Sequence, residues 1–247
     1  MFQWKDAVTL GNAAAGFASM VLCVQGRLVW ASSAIIVGYF FVAIDGTVAR
    51  LFGAGPTKFG AELDNTCDLV TYSVAPGVLV FVTYRDRIGF WGAAVLGSLP
   101  VLTGVVRFAR FNIKRIEYPG IWFGMPRPVS ALATVCFLQS HLFQHVPGAD
   151  MAGVVLVPAL AIWNLGLYPF VGHHNRHWRR WVAALLFGLV VGSVVVAVPI
   201  SIFMDVVVFW DIGLIWMILY PMAQWTLISP DERQRIREFV REWKKAA

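Results

Sequence analysis

Apolar residues run through most of the chain in long blocks, and short polar or Pro/Gly stretches separate these blocks. The block from Val182 to Phe203 carries no charged residue and exceeds the roughly 20 residues that a helix needs to cross a bilayer. The same pattern predicts eight transmembrane helices, at residues 8–25, 29–51, 60–84, 89–111, 127–146, 151–171, 181–201 and 206–228. We therefore expect an all-α, polytopic membrane helix bundle that forms a single domain over residues 1–247.

Composition supports a membrane protein. Hydrophobic residues make up 58% of the chain and charged residues only 14%, which is more apolar side chain than a soluble domain of this length needs. The net charge of +6 would suggest a nucleic-acid partner in a soluble protein, but here the basic residues lie in short loops and in the tail. We therefore expect anionic membrane lipids as partners, and no nucleic acid.

The basic residues lie on alternate loops and at both ends of the chain. This set comprises Lys5, Arg50, Lys58, Arg110, Lys114, Arg115, Arg127, Arg176, Arg179, Arg180 and the basic residues after position 230. The positive-inside rule then places both termini in the cytoplasm, and an even number of spans agrees with this. We expect an integral protein of a cytoplasmic (inner) membrane.

Residues 230–247 have the pattern of a short amphipathic helix. The segment begins with Pro230 and two acids and ends with basic residues, as the helix dipole favours. Ile236, Phe239 and Trp243 recur at helical spacing with charged residues between them. This pattern favours a helix on the cytoplasmic membrane interface, and a solvated tail is the alternative.

Three aspartates, Asp45, Asp64 and Asp68, lie near the predicted cytoplasmic ends of apolar helices. A carboxylate inside a membrane helix is costly and therefore indicates a function. Gly60, Asp64 and Asp68 are spaced four residues apart, so they share one helical face, and the glycine leaves room for a ligand. Asp45 lies near the end of the preceding predicted helix, residues 29–51, so two helix ends are expected to converge.

Clustered carboxylates repel one another unless a cation neutralises them, and hard oxygen ligands favour Mg²⁺, Mn²⁺ or Ca²⁺. We interpret the three aspartates as ligands of a divalent cation, which suggests a substrate with phosphate groups. Small residues at Gly46, Ala49 and Gly60 leave space for a nucleotide, and Arg50 and Lys58 offer cations to its phosphates. The alternative interpretations are a proton or ion pathway, or Asp–Arg pairs that only hold helices together.

The stretch from Asp45 to Asp68 reads D-G-T-V-A-R, nine further residues, and then G-A-E-L-D-N-T-C-D. It resembles the signature of the CDP-alcohol phosphotransferase (CDP-alcohol phosphatidyltransferase) family, D-x-x-D-G-x-x-A-R, a short spacer and G-x-x-x-D-x-x-x-D. Four further stretches resemble the phosphatidylserine synthase branch: T-L-G-N at 9–12, V-T-Y-S-V-A-P at 70–76, R-F-A-R-F-N at 107–112 and F-G-M-P-R-P at 123–128. The resemblance covers residues 7–130.

This resemblance implies an enzyme of phospholipid biosynthesis that transfers a phosphatidyl group from CDP-diacylglycerol to L-serine, giving phosphatidylserine and CMP. It implies a metal-dependent reaction in which Asp45, Asp64 and Asp68 bind Mg²⁺ or Mn²⁺, with Ca²⁺ as a non-productive occupant, and Asp68 is the general base. The implied nucleotide- and phosphate-binding residues are Gly46, Ala49, Arg50, Thr57, Lys58 and Gly60. It also implies a homodimer, and the active site is expected to face the cytoplasm.

The acceptor serine carries a carboxylate, which needs a cation close to the metal site. Arg107, Arg110 and Arg127 are the candidates on the predicted cytoplasmic side. The positive-inside bias is the alternative explanation for their positions.

The motif region 42–68 departs from the family signature at its first residue. Val42 stands where the signature has an aspartate, and a valine side chain cannot ligate a metal. A catalytically impaired homologue that binds CDP-lipid is therefore one alternative. The same chemistry with choline, inositol or glycerol phosphate as the acceptor, or with an archaeal-type lipid donor, is a second, and a transporter that uses the acids as an ion path is a third.

Overall fold

The computed structural model describes residues 3–51, 57–113, 118–171 and 208–245. Within these ranges the chain is mostly helical, and it contains one short two-stranded antiparallel ribbon. The predominance of helix agrees with the predicted fold class.

The first two helices, α1 (Trp4–Val24) and α2 (Leu28–Leu51), form a hairpin. Asp6 caps the start of α1, because its Oδ2 accepts the backbone N–H of Gln3 at 2.7 Å. Gly26 makes the turn with a φ of 72°, a left-handed conformation that glycine adopts without steric cost. The hairpin brings the start of α1 alongside the end of α2, which is where the predicted metal-binding motif begins.

The next helical stretch consists of α3 (Lys58–Leu69), a π-helical turn at Val70–Val74 and α4 (Ala75–Ile113). Gly89 interrupts α4 with a φ of 75° and a ψ of 165°, so the stretch bends there. The two halves of α4 then pack against each other, since a Cβ at Gly77 would lie 2.5 Å from the carbonyl oxygen of Gly97. The bend falls between the predicted spans 60–84 and 89–111.

The following segment contains α5 (Arg127–Gln139), α6 (His141–His145), a 3₁₀ turn (Ala149–Ala152) and α7 (Gly153–Leu165). Ser140 breaks the predicted span 127–146, because its Oγ accepts the N–H of Phe143 at 3.2 Å and starts α6.

Strands β1 (Ile121–Phe123) and β2 (Pro169–Val171) pair antiparallel, with Trp122 opposite Phe170. The α7 helix ends at Leu165, and the last three residues of the predicted span 151–171 form strand β2 instead. The sequence did not predict it, since three-residue strands are too short to show alternation.

The last helices are α8 (Val208–Leu227) and α9 (Pro230–Lys245). The α9 helix lies where the amphipathic tail was predicted, and its position on a membrane interface stays a prediction. The predicted span 181–201 lies outside the described residues.

Judged by length and composition, two helical stretches within the described ranges can cross a membrane, Asp6–Val24 and Lys58–Ile113. Shorter apolar helical stretches lie at Leu28–Val42, Ala149–Leu165 and Val208–Met222. Large apolar side chains such as Phe17 and Trp91 are exposed on the outer surface, which suits contact with lipid. The count of eight spans and the cytoplasmic location of both termini stay predictions.

Candidate active site

The two acids of α3 are placed by the way this helix begins. Thr57 caps it, because its Oγ1 accepts the backbone N–H of Gly60 at 3.0 Å. Gly60, Asp64 and Asp68 then follow at four-residue intervals along one face, and both aspartates are half-buried. The structure therefore uses the Thr57 hydroxyl as a helix cap, and it leaves the Lys58 side chain exposed.

Asn12 of α1 binds Asp68 across the interface between α1 and α3. Its Nδ2 donates to Asp68 Oδ1 at 3.1 Å, and its side chain is fully buried. Thr71 Oγ1 donates to the backbone carbonyl of Asn12 at 2.8 Å, which fastens α1 to the π-helical turn just after Asp68. Glycine permits this approach, because a Cβ at Gly16 would lie 2.6 Å from Thr71 Oγ1, and one at Gly38 would lie 2.8 Å from Asn12 Oδ1.

Arg127 approaches Asp68 from the first turn of α5. Its Nη2 lies 3.9 Å from Asp68 Oδ2, and the two side chains are only 10% and 15% exposed. The guanidinium also donates to Asn65, to the backbone carbonyl at 3.3 Å and to Oδ1 at 3.4 Å. Asp64 contributes to the electrostatic environment of Arg127 as well. Because this cluster is largely shielded from water, the interaction between the charges is stronger than at a surface.

Arg107 of α4 is buried, and its guanidinium binds backbone carbonyls. Nη1 donates to Phe123 at 3.1 Å and to Asn164 at 2.7 Å, and Nη2 lies 3.4 Å from the carbonyl of Gly124. Gly124 has a φ of 77°, and a Cβ there would lie 2.6 Å from Arg107 Nη1. Arg107 thus fastens the loop from which α5, and with it Arg127, begins.

The three predicted acceptor-binding arginines therefore have different surroundings. Arg127 lies beside Asp68, whereas Arg107 holds the loop after β1. Arg110 donates from Nη1 to the carbonyl of Leu165 at 2.9 Å and fastens the end of α7. The structure brings one of the three to the acids and uses the other two to bind backbone.

The predicted residues on α2 occupy the last turns of that helix. The side chains of Asp45, Ala49 and Arg50 and the surroundings of Gly46 are not among the described parts of the structure. Val42, one turn earlier, is half-buried and packs against the main hydrophobic core. Apolar packing therefore accommodates the residue that departs from the signature.

A divalent cation needs several oxygen ligands, and the described residues supply part of such a set. Asp64 and Asp68 offer carboxylate oxygens on one face of α3, which are the ligands that Mg²⁺ and Mn²⁺ prefer. No group of three or more His, Cys, Asp or Glu side chains comes together among the described residues, and the side chain of the third predicted ligand, Asp45, is not among those described. The carboxylate oxygens of Asp64 and Asp68 are the type of ligand that a hard cation prefers. Metal binding itself stays a prediction.

Sequence reasoning missed two of the contacts that define this site. Asn12 and Asn65 appeared only inside stretches that resemble the family, and neither was given a role. The bond from Asn12 to Asp68 joins residues 56 positions apart, so no local spacing reveals it. A buried asparagine within an otherwise apolar helix was the available signal.

The chain also matches the sequence model of a known protein family. The sequence profile for CDP-alcohol phosphatidyltransferase matches residues 5–165 of the chain, a region that runs from α1 through α7. The chain belongs to the CDP-alcohol phosphatidyltransferase family. Asn12, the predicted acids and the three arginines all lie inside the part that this phosphatidyltransferase shares with its family.

Three relatives illustrate the range of named activities among similar proteins. A CDP-diacylglycerol–serine O-phosphatidyltransferase of Helicobacter pylori is 26% identical over 193 residues, covering 76% of this chain and 80% of the relative. The archaetidylserine synthase of Methanothermobacter thermautotrophicus is 31% identical over 169 residues, covering 67% and 69%. A phosphatidylinositol phosphate synthase of Corynebacterium glutamicum is 46% identical over 65 residues, covering 26% and 28%. This phosphatidyltransferase is therefore similar over most of its length to enzymes named for serine.

Proposed function

We propose that this phosphatidyltransferase moves a phosphatidyl group from CDP-diacylglycerol to L-serine, giving phosphatidylserine and CMP. The arrangement around Asp68 carries the proposal, since Asn12 binds one carboxylate oxygen and Arg127 lies 3.9 Å from the other. A carboxylate beside a cation suits an acceptor that carries both a hydroxyl and a carboxylate. The relatives named for serine support the same acceptor.

The proposed reaction uses a divalent cation, Mg²⁺ or Mn²⁺. Asp45, Asp64 and Asp68 would hold it through their carboxylate oxygens. When bound, the cation neutralises charge on the diphosphate of the donor lipid. The residues proposed for the nucleotide and its phosphates are Gly46, Ala49, Arg50, Lys58 and Gly60, and Thr57 contributes through its role as the cap of α3.

Asp68 is the proposed general base. Its carboxylate takes the proton of the serine hydroxyl, and the serine oxygen then forms a bond to the lipid-side phosphorus while the bond to CMP breaks. CMP leaves with the electron pair of that bond. Asn12 is a positioning residue, because its hydrogen bond fixes Oδ1 and turns Oδ2 towards Arg127.

Arg127 is the proposed partner of the serine carboxylate. One serine molecule can reach both groups, since Arg127 Nη2 and Asp68 Oδ2 are only 3.9 Å apart. A planar guanidinium can bind a carboxylate through two parallel hydrogen bonds, which also orients the hydroxyl. Arg107 and Arg110 support this contact indirectly through the loops that they fasten.

Two alternatives each rest on a particular observation. The phosphatidylinositol phosphate synthase relative favours the same chemistry with another acceptor, and the archaetidylserine synthase favours an archaeal-type lipid donor. Val42 favours an impaired CDP-lipid-binding protein, because the site has one carboxylate fewer than the signature provides.

We further propose that the enzyme is a homodimer of the cytoplasmic membrane, with the acids facing the cytoplasm. The long apolar helices support the membrane, and the distribution of basic residues supports the orientation. Anionic lipids at the membrane surface are the proposed partners of the basic loops.

The proposed function is tested by CMP release from purified protein in detergent with CDP-diacylglycerol. The reaction is run with and without L-serine, and with Mn²⁺, Mg²⁺ or EDTA. Asp68→Asn is the control that keeps the volume of the side chain but removes the proposed base and one carboxylate of the proposed metal site. Val42→Asp restores the carboxylate that the signature has.

Serine-dependent CMP release that requires metal and disappears in Asp68→Asn is the expected result. Release from Val42→Asp alone would show that this chain is impaired at its metal site. If neither version releases CMP with serine but one does with inositol phosphate or glycerol phosphate, the serine assignment is wrong.

A further inference from the structure

A small cavity lies in the helix bundle where the π-helical turn at Val70–Val74 meets α4, α5 and α7. Its volume is about 20 Å³, and a cavity of roughly 10–15 Å³ is enough to hold one water molecule. Among the described residues, six polar side chains contribute to its lining: Tyr72, Ser73, Thr103, Ser130, Thr134 and Asn164. The cavity is therefore large enough for one water molecule and polar enough to bind it.

Two of these side chains are buried and have a polar atom without a hydrogen-bond partner in the described part of the chain. Tyr72 is 2% exposed and Asn164 is 3% exposed. The atoms concerned are Tyr72 Oη and Asn164 Oδ1. An unpaired buried polar atom is destabilising, so most such atoms in folded proteins bind a protein group or an ordered water molecule. The cavity that both residues line offers space for one partner common to the two atoms.

The amide of Asn164 is oriented by its other contacts. Its Nδ2 donates to the carbonyl of Met125 at 3.0 Å, and its backbone carbonyl accepts Arg107 Nη1 at 2.7 Å. The remaining atom of the amide, Oδ1, can only accept hydrogen bonds, whereas the hydroxyl of Tyr72 can donate one. A water molecule between them can accept from Tyr72 and donate to Asn164.

Two hydroxyl groups of α5 offer a third partner. Ser130 Oγ donates to the carbonyl of Arg127 at 2.9 Å, and Thr134 Oγ1 donates to the carbonyl of Ser130 at 2.9 Å. Because each hydroxyl uses its single proton in this way, its oxygen can only accept from a further partner. Water that binds Tyr72, Asn164 and one of these hydroxyls makes three hydrogen bonds, the usual number for a buried water molecule.

The lining of the cavity favours water over a cation. No aspartate or glutamate is among the described residues that line it. A cation buried within apolar helices needs a partner of opposite charge. Neutral water needs no such partner, and it can accept the hydrogen bond that Tyr72 donates.

We propose that one ordered water molecule binds in this cavity and bridges Tyr72 Oη to Asn164 Oδ1. Tyr72 follows Asp68 by about one helical turn, and Asn164 binds the loop that leads to Arg127 through its contact with Met125. The water molecule therefore joins the two segments that carry Asp68 and Arg127. The proposal concerns the binding of water alone, so it does not depend on the proposed reaction.

The test compares Tyr72→Phe with Thr83→Val in the full chain. Tyr72→Phe removes the hydroxyl that binds the proposed water molecule. Thr83→Val is the matched control, because Thr83 is 7% exposed and its Oγ1 also has no partner in the described part of the chain, but Thr83 is not among the residues that line this cavity. Tryptophan fluorescence during heating gives the Tm of each variant in detergent. A high-resolution crystal or electron microscopy structure of the parent gives the density inside the cavity.

We expect density for a single water molecule about 2.8 Å from both Tyr72 Oη and Asn164 Oδ1. The Tm of Tyr72→Phe should fall by about 3 °C, because a hydrogen bond is lost. The Tm of Thr83→Val should stay the same or rise, because that hydroxyl makes no bond to lose.

Two results would overturn the bridge: a Tm of Tyr72→Phe no lower than that of Thr83→Val, or a well-resolved cavity without density. The Tm of the parent is also measured in sodium and in potassium chloride at equal ionic strength, and it should be the same in both. A Tm that depends on which cation is present would overturn the assignment to water, because a bound ion stabilises the folded state in proportion to its concentration and affinity.

Discussion

Replacing Arg107 with methionine removes the donor for three backbone carbonyls, those of Phe123, Gly124 and Asn164. A buried carbonyl left without a donor costs about 1–3 kcal/mol. The contact at 3.4 Å is long and counts for little, so the two shorter bonds give a total of about 4 kcal/mol. For a chain of this size that corresponds to a fall in Tm of roughly 10 °C.

The comparison variant is Arg127→Gln, which removes the cation beside Asp68. We expect its Tm to stay close to that of the parent, while kcat/KM for serine falls by roughly 30-fold, the equivalent of about 2 kcal/mol of lost binding. Arg107→Lys keeps the positive charge but lacks the planar fork, so its Tm should lie between those of the parent and Arg107→Met.

Two assays separate these roles. Tryptophan fluorescence during heating gives the Tm in detergent, and CMP release over a range of serine concentrations gives kcat and KM well below that temperature. If Arg107→Met kept its Tm and raised the KM for serine as Arg127→Gln does, Arg107 would bind the acceptor. The assignment of Arg107 to the loop after β1 would then be refuted.

Three further predictions follow from the same contacts. Asn12→Leu should lower kcat by about tenfold or more with little change in the KM for serine, because the orientation of the base is lost while acceptor binding is kept. Steady-state CMP release measures both constants, and an unchanged kcat would exclude a positioning role for Asn12. Gly124→Ala should lower the Tm more than Gly148→Ala, since both glycines have a φ of 77° but only at Gly124 would a Cβ meet other atoms within 4 Å. Equal shifts in the Tm of the two variants would contradict this. EDTA should abolish CMP release and added Mn²⁺ should restore it, whereas activity that survives chelation would argue against a metal-dependent reaction.

The helices could be predicted from the sequence because each apolar block is long enough to be recognised without knowledge of any tertiary contact. Where local chemistry interrupts a block, the predicted boundaries moved. Ser140 starts a new helix inside the predicted span 127–146, and the ribbon shortens the predicted span 151–171. Each of these changes depends on one capping residue or one strand pair, and such features carry little periodic signal.

The candidate site was predictable only where its residues share one helix. Gly60, Asp64 and Asp68 lie on one face of α3 because the helix repeat places them there. The sequence could not tell Arg127 from Arg107 and Arg110, since all three occur at predicted cytoplasmic ends of helices. The packing of α4, α5 and α7 separates them, because it gives backbone carbonyls to two arginines and an acid to the third.

By itself, the sequence determined the helical class, the apolar lengths, the positions of the acids and the resemblance to a phosphatidyltransferase. These properties depend on composition and on spacing within a single helix. The tertiary structure decided that Asn12 binds Asp68 and that Arg127 lies beside it. These contacts join distant parts of the chain, and only the packing of the helices brings such parts within hydrogen-bonding distance.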